Sequence, residues 1–231
     1  MTCEQAIERL KELADSDRVA GMARYGIATE KALGVSIPAL RALAKECGKD
    51  HGLAAALWET GIHEAMILAS MVDDCRLVTA EQMERWVSDF ASWDTCDQVC
   101  ANLFDKTPWA YEKAVAWAGR EGEYVKRAGF VMMARMAVSD KRAGDEAFEA
   151  LLPLIVRESV DERNMVKKAV NWALRQIGKR NPRLNERAIE MGRQIAAIAS
   201  PAARWIAADA LRELSDPRVQ QRVAERPKPR P

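Results

Sequence analysis

The chain is poor in residues that break helices. Its 231 residues hold 12 Gly and 9 Pro, and four of the prolines lie at or after Pro217. So few breakers in the body of the chain exclude a sandwich or barrel built on many tight turns. Histidine occurs only at His51 and His63, neither near a cysteine pair, so no zinc site is expected, and no other metal or organic cofactor is indicated. His63, in GIHEA, reads as a cap or surface residue. The five cysteines form no CxxC motif: Cys3, Cys47 and Cys75 are scattered, and Cys96 and Cys100 stand one helical turn apart. That is the usage of reduced thiols in a cytoplasmic protein. No window approaches the ~18 uncharged apolar residues of a membrane span. The opening MTCEQAIERLKEL is charged from Glu4 onward and lacks the apolar stretch of a signal peptide.

What is present is enough for a core. Hydrophobic residues make up 48% and charged residues 30%, which excludes a wholly disordered chain. The net charge of +1 conceals an asymmetry: residues 161–231 hold 16 Lys+Arg against 8 Asp+Glu, whereas residues 1–160 hold 19 against 26. Such a split points to a polyanionic partner for the C-terminal part; the alternative is a basic tail that only aids solubility. The tail alone does not explain the charge along 163–187.

Nearly every segment reads as helix, at about 3–14, 18–32, 37–47, 51–58, 62–72, 79–89, 92–104, 108–119, 122–138, 144–157, 161–178, 184–198 and 200–213. Pro38, Pro108 and Pro201 sit near helix starts, where a missing N–H costs little. Ser92 and Asp161 are candidate N-caps, and Gly178 followed by Pro182 ends the longest polar helix. From about residue 37 the helices come as antiparallel pairs recurring every 35–45 residues or so. The expected fold is all-α: a HEAT-like α-solenoid of antiparallel helix pairs with a concave basic face, an irregular helical bundle being the alternative. Residues 1–217 are expected to form the repeat domain. Residues 218–231 read as a basic, Pro-rich tail, disordered at least over the final RPKPRP.

Three constellations carry chemistry. Along 161–179, Val166, Ala169, Val170, Ala173 and Ile177 share one helix face, while Lys168, Trp172, Arg175 and Lys179 cluster opposite. A Trp among cations fits a nucleic-acid backbone and sugar. The alternative is a second helix covering Trp172, which would bury Lys168 and Arg175 as well, an expensive step for unpaired charges. In FASWDTCDQVC, Trp93 and Asp97 are at i and i+4 and project to one side, at the edge of a stripe of Cys96, Val99, Cys100 and Leu103. Asp94 lies a quarter-turn away and looks more solvated. Asp97 is either paired with a nearby Arg or kept for chemistry. In EYVKRAGFVMMARMAV, Lys126 and Arg127 interrupt an otherwise apolar helix. A charge there needs an anion, either a carboxylate such as Asp97 or a phosphate from outside.

Trp93-x-x-x-Asp97, VKRAGF with Arg127, KKAVNWALRQIGKRN with Trp172, and ALWETGIHEAMILA at 56–69 together resemble the AlkD-like DNA alkylation repair glycosylases, which are HEAT-like repeat proteins. The resemblance runs from about residue 20 to 214. It implies a right-handed solenoid holding duplex DNA and hydrolysis of the N-glycosidic bond of cationic N3- and N7-alkylpurines. Asp97 would match the catalytic carboxylate, Trp93 and Trp172 the aromatics on the lesion's deoxyribose, and Arg127 the backbone contact near the lesion. Tyr25 would match an N-terminal aromatic that touches DNA, although the MARYGI stretch departs from the best-known members. No pocket for a flipped base is implied. The chain is then expected to work as a monomer, in the cytoplasm and on the nucleoid when bound to DNA, with no protein partner. Related subfamilies lack parts of this site and lack activity.

The chemistry is self-consistent. A cationic alkylpurine leaves as a neutral base, so no general acid is needed. The sugar becomes oxocarbenium-like, and a fixed carboxylate stabilises it or orients the attacking water; indole faces add cation–π attraction. No lysine is singled out as a Schiff-base nucleophile, so no strand cleavage is expected. Two other readings use the same fold: a non-catalytic DNA-damage binder and a protein-interaction scaffold.

Overall fold

In a computed structural model, residues 1–226 are described, and every regular element among them is helical. The chain divides into two compact units, Met1–Trp109 and Ala110–Pro231. No helix among the described residues is long and apolar enough to cross a membrane.

The first unit holds α1 (Cys3–Glu12), α2 (Ser16–Ala23), α3 (Ile37–Cys47), α4 (His51–Glu59), α5 (His63–Val72), α6 (Ala80–Ser88) and α7 (Trp93–Asn102), then a single 3-10 turn at Phe104–Lys106. Local chemistry sets most starts. Thr2 closes a capping box with Gln5. Asp15, Ser36, Asp50 and Thr79 each accept the N–H three residues on, with Pro38 in the first turn of α3. The expected helix over 18–32 stops at Ala23. Gly26 follows with φ 71° and the chain turns out of helix until Ser36. That segment is held by Glu64, whose two carboxylate oxygens accept the N–H of Leu33 (2.8 Å) and Gly34 (2.7 Å). Gly34 has φ 79°, and a Cβ there would lie 2.1 Å from the Asp15 carbonyl oxygen, so only glycine fits.

The core of this unit is aromatic as well as aliphatic. Trp58 of α4 and Trp86 of α6 stack with centroids 3.9 Å apart and planes 2° from parallel, and Phe90 and Phe104 tilt against them. The Trp58 indole N–H donates to Asp89 at 2.8 Å, so its one polar atom is satisfied at the rim.

The second unit holds α8 (Ala110–Ala118), α9 (Glu123–Ser139), α10 (Asp145–Glu149), α11 (Leu152–Glu158), α12 (Asn164–Gly178), α13 (Pro182–Ala196), α14 (Pro201–Leu214) and α15 (Pro217–Ala224). α9 is its centre, packed on α8 and α12, as its nearly all-round apolar sequence requires. Gly129 permits the close crossing with α8: a Cβ there would meet the Ala118 nitrogen at 2.5 Å and the Ala114 carbonyl at 2.9 Å. The helix expected over 144–157 is two short ones, broken at Ala150 and Leu151 with Pro153 in the first turn of the second. Asp161 does not cap α12. Arg163 holds that position, and Asp161 instead receives the Arg163 backbone N–H and guanidinium.

α15 occupies part of the stretch read as a tail. Asp216 caps it, accepting from Arg218 and Val219, and Val219 and Val223 are buried at one-turn spacing. Only residues 227–231 of the tail expected to be disordered lie outside the described residues.

Candidate functional site

In the first unit, α7 presents the Trp–Asp pair. Ser92 is its N-cap residue, but the hydroxyl donates to Asp94 Oδ1 at 2.8 Å rather than capping the helix. Thr95, Cys96, Val99 and Cys100 turn inward and are buried, leaving Trp93 and Asp97 half-buried together along the edge. Burial pushes the Cys100 thiol well above its ordinary pKa, so it is an inert part of the core. The Trp93 indole N–H donates to the Tyr25 backbone carbonyl at 2.9 Å, fixing the ring against the segment after α2. The Tyr25 side chain is 72% exposed. Tyr25, Trp93 and Asp97 are therefore gathered within one unit.

Two neighbours of this pair differ from expectation. His63, read as a cap or surface residue, is 8% exposed, and its Nε2 lies 2.9 Å from Asp94 Oδ2. Its Nδ1 is 3.3 Å from the Thr95 hydroxyl. Asp94, read as solvated, is thereby the half-buried partner of a buried histidine. Burial, the largest influence on each, opposes the charged forms. The mutual hydrogen bond and charges outweigh it, holding His63 above and Asp94 below their ordinary pKa values. His63 also stands at the meeting of two clefts. One, about 480 Å³, lies among Met22, Tyr25, Ile37, Ile67 and Asp94; the other, about 420 Å³, lies among Lys31, Trp58, Asp89 and Thr95. The two partners are 31 residues apart in sequence, and no local pattern announces their pairing.

In the second unit the apolar face read along α12 is buried, with Asn171, Leu174 and Gly178 added to it. Trp172 is half-buried and Lys168 exposed. Arg175 and Lys179 are not unpaired charges. Glu213 of α14 accepts Arg175 Nη1 at 2.5 Å and Lys179 Nζ at 2.6 Å, and Asp209, one turn earlier, lies 3.3 Å from Arg175. Covering this side is expensive only where the charges are left unpaired. α14 supplies the missing acids, so the cost of burying unpaired charge does not arise. Those pairs hold Glu213 below the usual carboxylate range against the opposing effect of burial.

Lys126 and Arg127 also have protein partners. Lys126 Nζ is 2.6 Å from Glu158 and 3.3 Å from Asp161. Arg127 is 6% exposed, and its Nη1 donates to the Met165 carbonyl in the first turn of α12 at 2.6 Å. Of the alternatives left open for Lys126, an internal carboxylate is the one present. Among the described residues no group of three or more His, Cys, Asp or Glu is placed to hold a metal.

Helices packed in successive pairs within each unit are the mark of HEAT-like repeat proteins, and comparison with known proteins agrees. The sequence profile of the DNA alkylation repair enzyme family matches residues 6–224. The chain belongs to that family. A solved structure described as "a new family of proteins related to the HEAT-like repeat DNA glycosylases with affinity for branched DNA structures" is similar in fold, with TM-score 0.77 and 19% identity over 92% of this chain and 95% of that one. A designed armadillo repeat protein is much more distant, with TM-score 0.36 and 16% identity over 77% of this chain and 92% of that one. No curated protein sequence matches.

Proposed function

We propose that the protein is a monofunctional DNA glycosylase of alkylation base-excision repair, acting on cationic N3- and N7-alkylpurines in duplex DNA. Membership of the DNA alkylation repair enzyme family across residues 6–224 is the observation that carries this reading. The geometry of α7 supports it. Asp97 is half-buried one turn from Trp93, where a carboxylate is partly shielded from water yet reachable. Its charge stabilises the oxocarbenium-like sugar as the neutral base departs, or orients the water that follows. The Trp93 N–H is engaged by Tyr25, so the ring is held in place and its face is what it offers a sugar. Trp172 supplies the second indole, and exposed Lys168 and Tyr25 touch the DNA backbone.

Arg127, Lys126, Arg175 and Lys179 belong to the same reading in a different capacity. Bound to Met165, Glu158, Asp161 and Glu213, they set the position and the charge of the α9, α12 and α14 surfaces that meet phosphates. In this reading the protein acts as a monomer in the cytoplasm, on nucleoid DNA, without metal or cofactor and without a pocket for a flipped base.

The test is release of 7-methylguanine and 3-methyladenine from methylated duplex DNA, wild type beside Asp97→Asn. Release lowered by about 10²-fold or more, with duplex binding retained, is the expected result. Release unchanged by the substitution discards Asp97 as the catalytic group. A second reading, a binder of branched DNA without glycosylase activity, is favoured by the solved relative with that affinity. It predicts no base release from any methylated substrate and tighter binding to a four-way junction than to duplex.

A further inference from the structure

The C-terminal helix carries charge that the glycosylase chemistry leaves unused. α15 is firmly seated. Val219 and Val223 are buried, and Gln220 Nε2 donates to Asn185 Oδ1 at 2.7 Å and to the Leu214 carbonyl at 2.5 Å. A cleft of about 260 Å³ opens between it and the ends of α12 and α14, lined by Gln176, Lys179, Glu213, Arg222 and Arg226 together with Val219 and Val223.

The charges around this cleft do not cancel. Among the described residues that line it Glu213 is the one acid, and that carboxylate already receives Lys179 and Arg175. Arg222 Nε donates to the Arg218 carbonyl at 3.2 Å, and Arg226 Nη1 to the Lys179 carbonyl at 2.5 Å. A carbonyl orients a guanidinium without neutralising it and leaves the other N–H donors for a further acceptor. Both arginines are exposed. Arg222 lies in the last turn of α15 and Arg226 two residues beyond its end, and both line the same cleft. Arg180 is held below its ordinary pKa by burial, against the opposing charges of Asp140 and Asp145, with the charge of Arg226 the smallest influence.

We propose that this cleft binds a phosphate group, with Arg222 and Arg226 as the clamp and Lys179 and Gln176 as its other donors. Planar guanidinium forks match phosphate oxygens two at a time, and an anion in the cleft would be shared by the two arginines that line it. The chemistry is the same for a free phosphate and for a DNA phosphodiester. The DNA source rests on the function proposed above, and the phosphate chemistry does not.

The test uses the full chain and the double variant Arg222→Gln/Arg226→Gln, with thermal midpoint and helicity measured first. Binding of a labelled, undamaged duplex is followed by fluorescence anisotropy across a NaCl series. In parallel, inorganic phosphate is titrated against chloride at matched ionic strength while the thermal midpoint is recorded. For DNA, the variant is expected to bind several-fold more weakly, with a log K against log salt slope shallower by about 0.9, the value of one phosphate contact. The charge-keeping Arg222→Lys/Arg226→Lys variant should retain the slope while losing part of the affinity. A midpoint rise with phosphate, absent in the Gln variant, supports the cleft as a phosphate site; with DNA binding unaffected, it assigns the site to free phosphate. A DNA effect without a phosphate effect supports the phosphodiester source. Neither effect, with or without a lower midpoint from lost helix-end compensation, overturns the proposal. Base release separates the two failures. Wild-type release with a silent cleft ends this inference alone, and a responsive cleft without release ends the glycosylase reading alone.

Discussion

At the residue scale, the His63–Asp94 pair is the clearest unused device in the first unit. Its contribution to stability depends on pH. His63 has a raised pKa in the fold, so its share is complete below the ordinary histidine value of about 6.5 and fades as pH rises through the raised value. Asp94 has a lowered pKa, so its share is complete above about 3.9 and is lost as pH falls through the lowered value. Stabilisation by the pair is therefore greatest between about pH 4 and 6.5. Chemical denaturation of wild type and His63→Gln across pH 3.5–9 should show a stability difference largest in that window. A difference independent of pH contradicts the charged pair. Asp94→Asn should cost about 1.5–3 kcal/mol near pH 6, the value of a hydrogen bond to a charged group in a part-buried site.

Trp93 is held by a single hydrogen bond to the segment after α2. Trp93→Phe keeps an aromatic face and removes the N–H that Tyr25 accepts. The expected stability loss is about 1 kcal/mol. Base release should fall more than duplex binding, because the ring is no longer held in one orientation. Equal loss of both would make Trp93 a plain binding contact.

At the element scale, the α8–α9 crossing depends on one missing methyl group. Gly129→Ala gains helix propensity and nothing else in an isolated helix. In the folded unit its Cβ meets backbone atoms of α8 at 2.5–2.9 Å, and backbone yields less readily than a side chain. Overpacking of this kind costs about 1–3 kcal/mol, which urea denaturation measures directly. An unchanged or raised midpoint would show that α8 moves aside freely.

The same scale explains which helix boundaries were legible. α3, α5, α9 and α12 match their apolar periodicity to within a few residues, because that face is what each helix buries. The sequence predicts a long second helix because 18–32 contains no proline. Its real end is set by the left-handed Gly26 and by Glu64, 30 residues from the Gly34 N–H it accepts. α15 differs from expectation for the opposite reason: charge and nearby prolines suggest a tail, whereas two valines at one-turn spacing and the Asp216 cap are sufficient to seat a short helix.

At the scale of the whole molecule, a net charge of +1 hides a chain whose C-terminal third is strongly basic. Much of that basic charge is bound internally, as Arg175, Lys179, Arg163 and Arg183 show. Counting cations therefore overstates the number of phosphate contacts. If all 16 basic residues of 161–231 met phosphates, the slope of log K against log salt would be about −14. With those four paired internally the slope should be no steeper than about −11 by the same relation, measurable from duplex binding across a salt series. A slope near about −14 would mean that the internal ion pairs open on binding.

Composition and periodicity by themselves determined that this is a helical repeat protein. Few breakers and a recurring apolar face leave the chain little else to do with its hydrophobic surface. The ordered set of Trp93, Asp97, Arg127 and Trp172 pointed to DNA alkylation repair, a family that residues 6–224 match. Partnership was decided only by the tertiary structure. Whether a charge is available or already paired depends on which helix packs beside it, and Glu213 lies 34 residues from Lys179, Glu158 32 from Lys126 and Asp94 31 from His63. Such pairs follow from the packing of neighbouring helices, whose register no single segment encodes. The sequence could therefore name the side chains, and packing alone assigned each its counter-charge.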